Sequence, residues 1–503
     1  MNAPANYDLA IIGGGINGAG VAREAAGRGL RVLLAEAGDL GGGTSSASTK
    51  LIHGGLRYLE HGELRLVAEA LAEREALLKI APHLVRPLEF VLPYESHLRP
   101  AWMLRAGLFL YEHLGTRAWG LGGSRSSLPK SRPVRLEPDG YGAGLKREFR
   151  SGFAYYDCSV DDARLVVANA RSAKAHGASI LTRTPCVAAR RERGAWRIVL
   201  KGEKGELQAS AKALVNAAGP WVEGVLERAI GIGASGNVRL VKGSHIVVPR
   251  IHEKTHAYIL QNPDARIVFL IPFEREFTLV GTTDVPLPAN PSRAEISPEE
   301  IAYLCAAASR YTERPITPAQ VLWSYSGVRA LYGDGTEDPS AITRDYHLQL
   351  DFAGPPLVTL VGGKITTYRR LAETVMGKLS RLLPSRGSWT HAEPLPGGDF
   401  GGADFDRVLA ELQRRYPNFN GEWLARLARR HGTLVPEILG SAREEAELGE
   451  DFGGGLFEAE VRYLVANEWA READDVLWRR TKCALHMSEG QRERFGAYMR
   501  QSG

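Results

Sequence analysis

The stretch YDLAIIGGGINGAGVAREAAGRGLRVLLAE, residues 7–36, decides the fold. Tyr7–Ile12 reads as a buried strand and Gly13–Gly18 as a tight turn. Ala19–Gly29 is a small-residue helix, and Leu30–Glu36 a second apolar strand ending in an acid. Gly13-x-Gly15-x-x-Gly18 has dinucleotide spacing: Gly13 permits the turn, Gly15 lets backbone approach a pyrophosphate, and Gly18 lets helix pack on strand. The helix N-terminus aims unpaired N–H groups at the phosphates. Glu36 follows Gly18 by 18 residues and is placed to accept from a ribose 2′-hydroxyl. An acid there would repel the 2′-phosphate of NADP, which leaves NAD and FAD open.

Outward from that unit, Gly41–Thr49 is a loop of Gly, Ser and Thr. It leads into KLIHGGLRY (50–58), where Lys50, His53 and Arg57 offer three positive groups beside paired glycines. Gly62–Ile80 has helical apolar spacing through Leu64, Val67, Leu71 and Leu78. Ala101–Leu114 is strongly apolar between arginines and suits either a core helix or one lying in a membrane interface. Ser159 is expected to cap a helix beginning at Val160. Val187–Arg191, Trp196–Leu200 and Leu207–Ala211 read as a meander, followed by a separate strand Ala213–Ala218. Leu240–Pro249, Ile267–Phe273 and Phe277–Thr283 suggest a second, mostly antiparallel sheet. Leu357–Val361 is again a buried strand, ending in Gly362-Gly363. Pro394–Gly402 marks a boundary, beyond which the chain reads as helical.

At 503 residues the chain has room for about three domains of ~150 residues. Its composition, 44% apolar and 24% charged, excludes a coiled coil, a collagen or a disordered chain. No run without a charge exceeds 14 residues, short of the ~20 that a spanning helix needs. No basic segment precedes an apolar one at the N-terminus, so no secretory signal is expected. Cys158, Cys186, Cys305 and Cys483 lie far apart, which argues against a disulfide framework or a metal site and points to a reducing cytosol. The net charge of +5 is spread without a basic run, so no nucleic-acid partner is expected.

The segments GGGINGAG (13–20), TSSASTKLIHGGLRYLEHGE (44–63), VDDARLV (160–166), NAAGPW (216–221), KGSHIVVPR (242–250), IPFEREFTLVGTTD (271–284), SYSGVRAL (324–331), ITRDY (342–346) and VGGKITTYRRLAE (361–373) together resemble the respiratory, FAD-dependent glycerol-3-phosphate dehydrogenases of aerobic bacteria. The likeness continues through LGEDFG (448–453) and ADDVLWRRTK (473–482). It implies an α/β FAD-binding domain of the glutathione-reductase type, a Rossmann fold, over residues 1–60, 150–235 and 340–392. An antiparallel β substrate domain over 61–149 and 236–339 and a helical C-terminal cap over 393–503 would complete the chain. It further implies non-covalent FAD, oxidation of sn-glycerol 3-phosphate to dihydroxyacetone phosphate, and electrons leaving to ubiquinone. Such an enzyme would be a homodimer, peripheral on the cytoplasmic, lipid-facing side of the inner membrane. Gly41-Gly42-Gly43 departs from the family pattern and is expected to loosen its loop.

Read with that resemblance, the chain offers candidates for each part of the chemistry. FAD would be held by Gly13, Gly15, Gly18, Glu36, Thr44, Ser45, Ser46, Lys50, Gly219, Gly362 and Gly363. A phosphate dianion calls for several donors, with Arg favoured for its bidentate fork. Arg57, Arg329, Arg344 and Lys364 are the candidate cations, and Tyr58 and Thr283 the neutral donors. A general base must take the hydroxyl proton as hydride leaves carbon. His53 is the first candidate and His245 the second, while Arg329 would also stabilise the developing alkoxide. An oxidase that passes electrons to O₂ remains the alternative, with an amino-acid oxidase and a non-catalytic flavin- or lipid-binding protein as remoter rivals.

Overall fold

The computed structural model describes residues 5–95, 100–114, 126–203, 205–233, 236–264, 266–288, 290–333 and 345–502. Among these, eight strands form a first sheet. Its main order is His347–Asp351, Leu357–Val361, Gly205–Asn216, Ala5–Ile12, Val32–Ala35 and Ser179–Leu181. The last five run parallel, with His347–Asp351 antiparallel at the edge. Strands covered on both faces must be apolar throughout, and Ile11, Val32, Leu34, Leu214, Val215 and Val358 are all buried. Helices Ile16–Gly27, Asp162–Ala175 and Tyr368–Leu379 cover one face through Ala22, Ala25, Val166, Ala170, Leu371 and Val375. Cys186–Glu192 and Ala195–Gly202 fold over the other face, where Trp196, Ile198 and Leu200 meet Ala10, Ile12 and Leu214.

The expected meander and the strand after it share one continuous element. Gly205–Asn216 pairs antiparallel with Ala195–Gly202 along one edge and parallel with Ala5–Ile12 along the other. The helix cap also differs from the expectation. Asp161, not Ser159, accepts from Arg164 N at 3.1 Å, because Ser159 is still inside strand Ser151–Val160.

Ten strands make the second sheet. Val238–Pro249 is flanked by Trp323–Tyr332 and Phe277–Gly281, and the sheet continues through Ile267–Phe273, Ala257–Gln261, Val85–Pro93 and Ser151–Val160. Its neighbours are antiparallel except Ala257–Gln261 on Val85–Pro93. Leu51–Ile52 and Ser151–Val160, expected on the first-domain side of the boundaries at 60 and 150, pair with each other in this second sheet. Helices Leu64–Ile80 and Ala101–Leu114 pack on one face and Pro298–Ser309 on the other. Ala101–Leu114 divides its surface: Leu108, Tyr111 and Leu114 enter the core, while Trp102 and Phe109 are 72% and 63% exposed.

The C-terminal region is helical. Phe405–Arg415, Gly421–His431, Glu458–Glu468 and Glu489–Ser502 surround Trp423, Leu427, Phe452, Leu464 and Phe495. Each such side chain contributes about 1.5–3 kcal/mol when fully buried, enough for a core of its own. No helix among the described residues is long and apolar enough to cross a membrane.

Candidate active site

The dinucleotide turn is built so that only backbone fits inside it. Gly13 has φ +109°, and a Cβ there would lie 2.5 Å from Ala217 O. A Cβ on Gly18 would lie 1.9 Å from Gly13 O, so the helix rests directly on the turn. On the outer side, a Gly15 Cβ would meet only Ser45 Oγ within 4 Å, and a Gly219 Cβ nothing, among the described residues. Bare backbone at Gly15 and Gly219 beside the N-terminus of Ile16–Gly27 fits a dinucleotide pyrophosphate. Glu36 closes the far side, its carboxylate accepting from Gly14 N at 2.6 Å and Gly38 N at 2.7 Å. Burial pushes its pKa up, while the Gly38 and Gly14 N–H groups oppose that shift.

Residues 39–50 wrap this turn. Gly41 N donates to Gly14 O at 3.0 Å, and Ser45 Oγ accepts from Ile16 N at 2.9 Å, capping the helix. Thr44 Oγ1 donates to Val328 O at 2.6 Å, and Ser46 Oγ lies 3.4 Å from Gly43 O. The three glycines lie in a packed loop, where a Gly41 Cβ would meet Val166 at 3.5 Å and a Gly43 Cβ Trp221 at 3.0 Å. Lys50 differs from the cofactor contact expected of it. Its ammonium, buried, binds both oxygens of Asp162 at 2.8 and 2.9 Å and Ser46 O at 2.9 Å, so all three donors are used.

The segment Gly362–Thr367 joins the two domains. Gly362 and Gly363 have φ +78° and +98°, and Asn17 Nδ2 donates to Gly362 O at 3.0 Å, tying this turn to the first one. A Gly362 Cβ would lie 3.3 Å from Ala330 O, on the strand that carries Arg329. His53 N donates to Thr366 Oγ1 at 3.3 Å, and Lys364 Nζ sits 3.7 Å from the centre of the Tyr58 ring. Arg329 pairs with Asp284, each side chain one-quarter exposed. His53, Tyr58 and Lys364 therefore lie beside one turn, with the backbone of Ala330, next to Arg329, also against it. The backbone of Arg57 lies in the turn Leu56–His61, next to Tyr58; its side chain, and all of Arg344, are outside the described residues.

Two expected site residues face the wrong way. Thr283 is 1% exposed: its hydroxyl donates to Glu300 at 2.7 Å and accepts from Ser244 N at 2.9 Å, leaving no donor for a phosphate. His245 is also 1% exposed, stacked on Tyr325 with Nε2 3.0 Å from Thr49 Oγ1. Burial first, then the Arg329 and Lys50 charges, hold it well below 6.5 and therefore neutral. Its ring is enclosed by Tyr325 and Thr49 in this structure, which favours His53 over it as the candidate base.

Sequence reasoning missed Asn17, Asp162, Asp284, Thr366 and Tyr111. The last accepts from Gly54 N at 2.7 Å and donates to the buried Asp157, fixing the loop after His53. Asn17, Asp162, Asp284 and Thr366 lay inside quoted motifs, but nothing in the sequence named their partners. Among the described residues no three His, Cys, Asp or Glu side chains gather as a metal site would require.

A glycine-walled dinucleotide turn that meets a second domain bearing cations is the arrangement of a dinucleotide-dependent redox enzyme. Residues 8–369 match the family described as FAD dependent oxidoreductase, and residues 388–494 match the C-terminal domain of alpha-glycerophosphate oxidase. The chain belongs to the FAD-dependent oxidoreductase family, and FAD is its cofactor. It is 50% identical to a glycerol-3-phosphate dehydrogenase of Pseudomonas aeruginosa, over 98% of this chain and 95% of that one. It is 49% identical to the aerobic glycerol-3-phosphate dehydrogenase of Escherichia coli (98% and 97%), and 48% to a D-erythritol 1-phosphate dehydrogenase of Brucella abortus (98% and 98%). The FAD-complexed glycerol-3-phosphate dehydrogenase of Bacillus halodurans superposes with a TM-score of 0.74 at 26% identity, over 99% of this chain and 94% of that one.

Proposed function

We propose that the protein oxidises sn-glycerol 3-phosphate to dihydroxyacetone phosphate and passes the electrons to ubiquinone. The observation that carries this reading is the Gly362–Thr367 segment, which touches the dinucleotide turn through Asn17 and the cation-bearing second domain through His53, Tyr58 and Ala330. Bound FAD supplies the hydride acceptor. In this reading Arg57, Arg329, Arg344 and Lys364 hold the phosphate, Tyr58 steadies the Lys364 ammonium, and His53 takes the proton from the secondary hydroxyl. Arg329, kept in place by Asp284, also faces the oxygen on which negative charge grows. Gly13, Gly15, Gly18, Glu36, Gly219, Gly362 and Gly363 would hold FAD, with Thr44–Ser46 shaping the loop over it.

The relatives from Pseudomonas and Escherichia named for glycerol 3-phosphate support this substrate. The Brucella relative, nearly as similar and named for D-erythritol 1-phosphate, favours a second reading in which a four-carbon polyol phosphate is taken. Steady-state turnover with a soluble quinone separates the two. The first predicts that kcat/KM for glycerol 3-phosphate exceeds that for erythritol 1-phosphate, and the reverse order would install the second. Hydrogen peroxide appearing in step with product would instead favour the oxidase reading.

Access to a quinone calls for a lipid-facing surface, and Trp102, Met103, Phe109 and Leu110 form an exposed apolar face on Ala101–Leu114. We assign that face to peripheral docking on the cytoplasmic side of the inner membrane, and we expect a homodimer.

A further inference from the structure

The motif ADDVLWRRTK (473–482) plays no part in the chemistry above, yet Arg479 and Arg480 reach the cofactor loop and Lys482 reaches Asp161 behind it. Arg480, fully buried, forks onto both carboxylate oxygens of Asp39, and Arg479 Nε donates to the same carboxylate at 2.5 Å. Lys482, also buried, binds Asp161. Asp39 opens the segment 39–50 that wraps the dinucleotide turn. The segment's far end is closed by Lys50 on Asp162, the neighbour of Asp161. One short C-terminal stretch thus anchors the loop at its front end directly and at its back end through the Asp161-Asp162 pair.

Gly41-Gly42-Gly43 inside the segment has a large conformational entropy when unrestrained. Every conformer in which Ser45 leaves the N-terminus of Ile16–Gly27 lowers the fraction of molecules ready to bind, and apparent affinity falls by that fraction. A bidentate arginine–carboxylate pair fixes direction as well as distance, so it selects the one arrangement in which the loop lies on the turn.

We propose that Arg480 and Lys482 are positioning residues for FAD: the C-terminal region clamps segment 39–50 onto the dinucleotide turn and sets flavin affinity without touching the flavin. This inference rests on membership of the FAD-dependent family and not on the substrate assigned above, so its test contains no substrate.

FAD is titrated into the full chain stripped of flavin, and melting midpoints are read with and without saturating FAD. Arg480→Lys keeps the buried charge but loses the fork. It should raise the FAD dissociation constant about tenfold, the scale of one charge-assisted hydrogen bond. The gap between the two midpoints should narrow accordingly. Lys482→Met should act in the same direction, and if it fails to fold, Arg480→Lys decides. The control is Glu460→Gln, in a buried cluster with Arg430 and His431 that reaches Arg164 of the first domain but not Asp39. It should lower both midpoints equally and leave the dissociation constant unchanged. The proposal is overturned if Arg480→Lys binds FAD as tightly as the unaltered chain, or if Glu460→Gln weakens FAD as much.

Discussion

Single side chains carry the reaction assigned here, and substitution can separate cofactor from substrate. Gly18→Ala puts a methyl group 1.9 Å from Gly13 O, so that variant should be purified without flavin, as its visible spectrum will show. His53→Gln should keep FAD and lose turnover by ~100-fold or more, the span of general acid–base catalysis. Lys364→Met should raise KM for the phosphate substrate by about tenfold or more, one charged hydrogen bond, with a smaller change in kcat. Wild-type rates in His53→Gln would remove that residue from the base position. The glycines were legible in the sequence because their demand is local: a turn has no room for a Cβ wherever it occurs. Lys50 and Thr283 were not, because residue type cannot reveal which distant acceptor burial will supply. Asp162 takes all that Lys50 offers except one bond, and Glu300 takes the Thr283 hydroxyl. His245 sits near glycine much as His53 does, and its burial against Tyr325 and Thr49 tells them apart.

Elements, not residues, bring the site together. Strand Trp323–Tyr332 belongs to the second sheet but receives Thr44 at Val328 O, so Arg329 lies where the two domains touch. The central strands of both sheets were readable from apolar runs, whereas the placement of Leu51–Ile52 against Ser151–Val160 depends on pairing across more than a hundred residues, which periodicity does not encode. The seam between the C-terminal region and the rest of the chain, where His83 meets Phe400 and His431 meets Arg164, carries a pH response of its own. Burial holds His83 down at about 3, against the usual 6.5, and holds His431 low as well. Such imidazoles are neutral in the fold and take up protons when it opens, so their contribution is intact above about pH 6.5 and is lost as pH falls toward 3. Glu460, carried to about 2 by Arg430 and His431 against its burial, adds a loss between 4.5 and 2. The melting midpoint should therefore fall steadily on acidification below pH 6.5. His83→Leu should flatten the upper part of that decline, and an unchanged slope would remove His83 as a source.

The whole molecule presents an apolar helix face on the outside and a charged junction within. Phe109→Glu with Trp102→Glu should abolish sedimentation with anionic liposomes while leaving the flavin spectrum intact, and unchanged binding would assign the lipid contact elsewhere. Leu108 is unsuited to that test: it is buried, and a charge there would break the core instead. At this scale the resemblance did what local patterning could not, because the cations proposed to hold the phosphate are scattered from Arg57 to Lys364 along the chain. The measurement that tests the central claim most directly is the visible absorbance of the holoprotein under anaerobic conditions, before and after addition of sn-glycerol 3-phosphate. The account predicts that the flavin bands bleach and that a ubiquinone analogue restores them. A flavin spectrum unmoved by the substrate would contradict it.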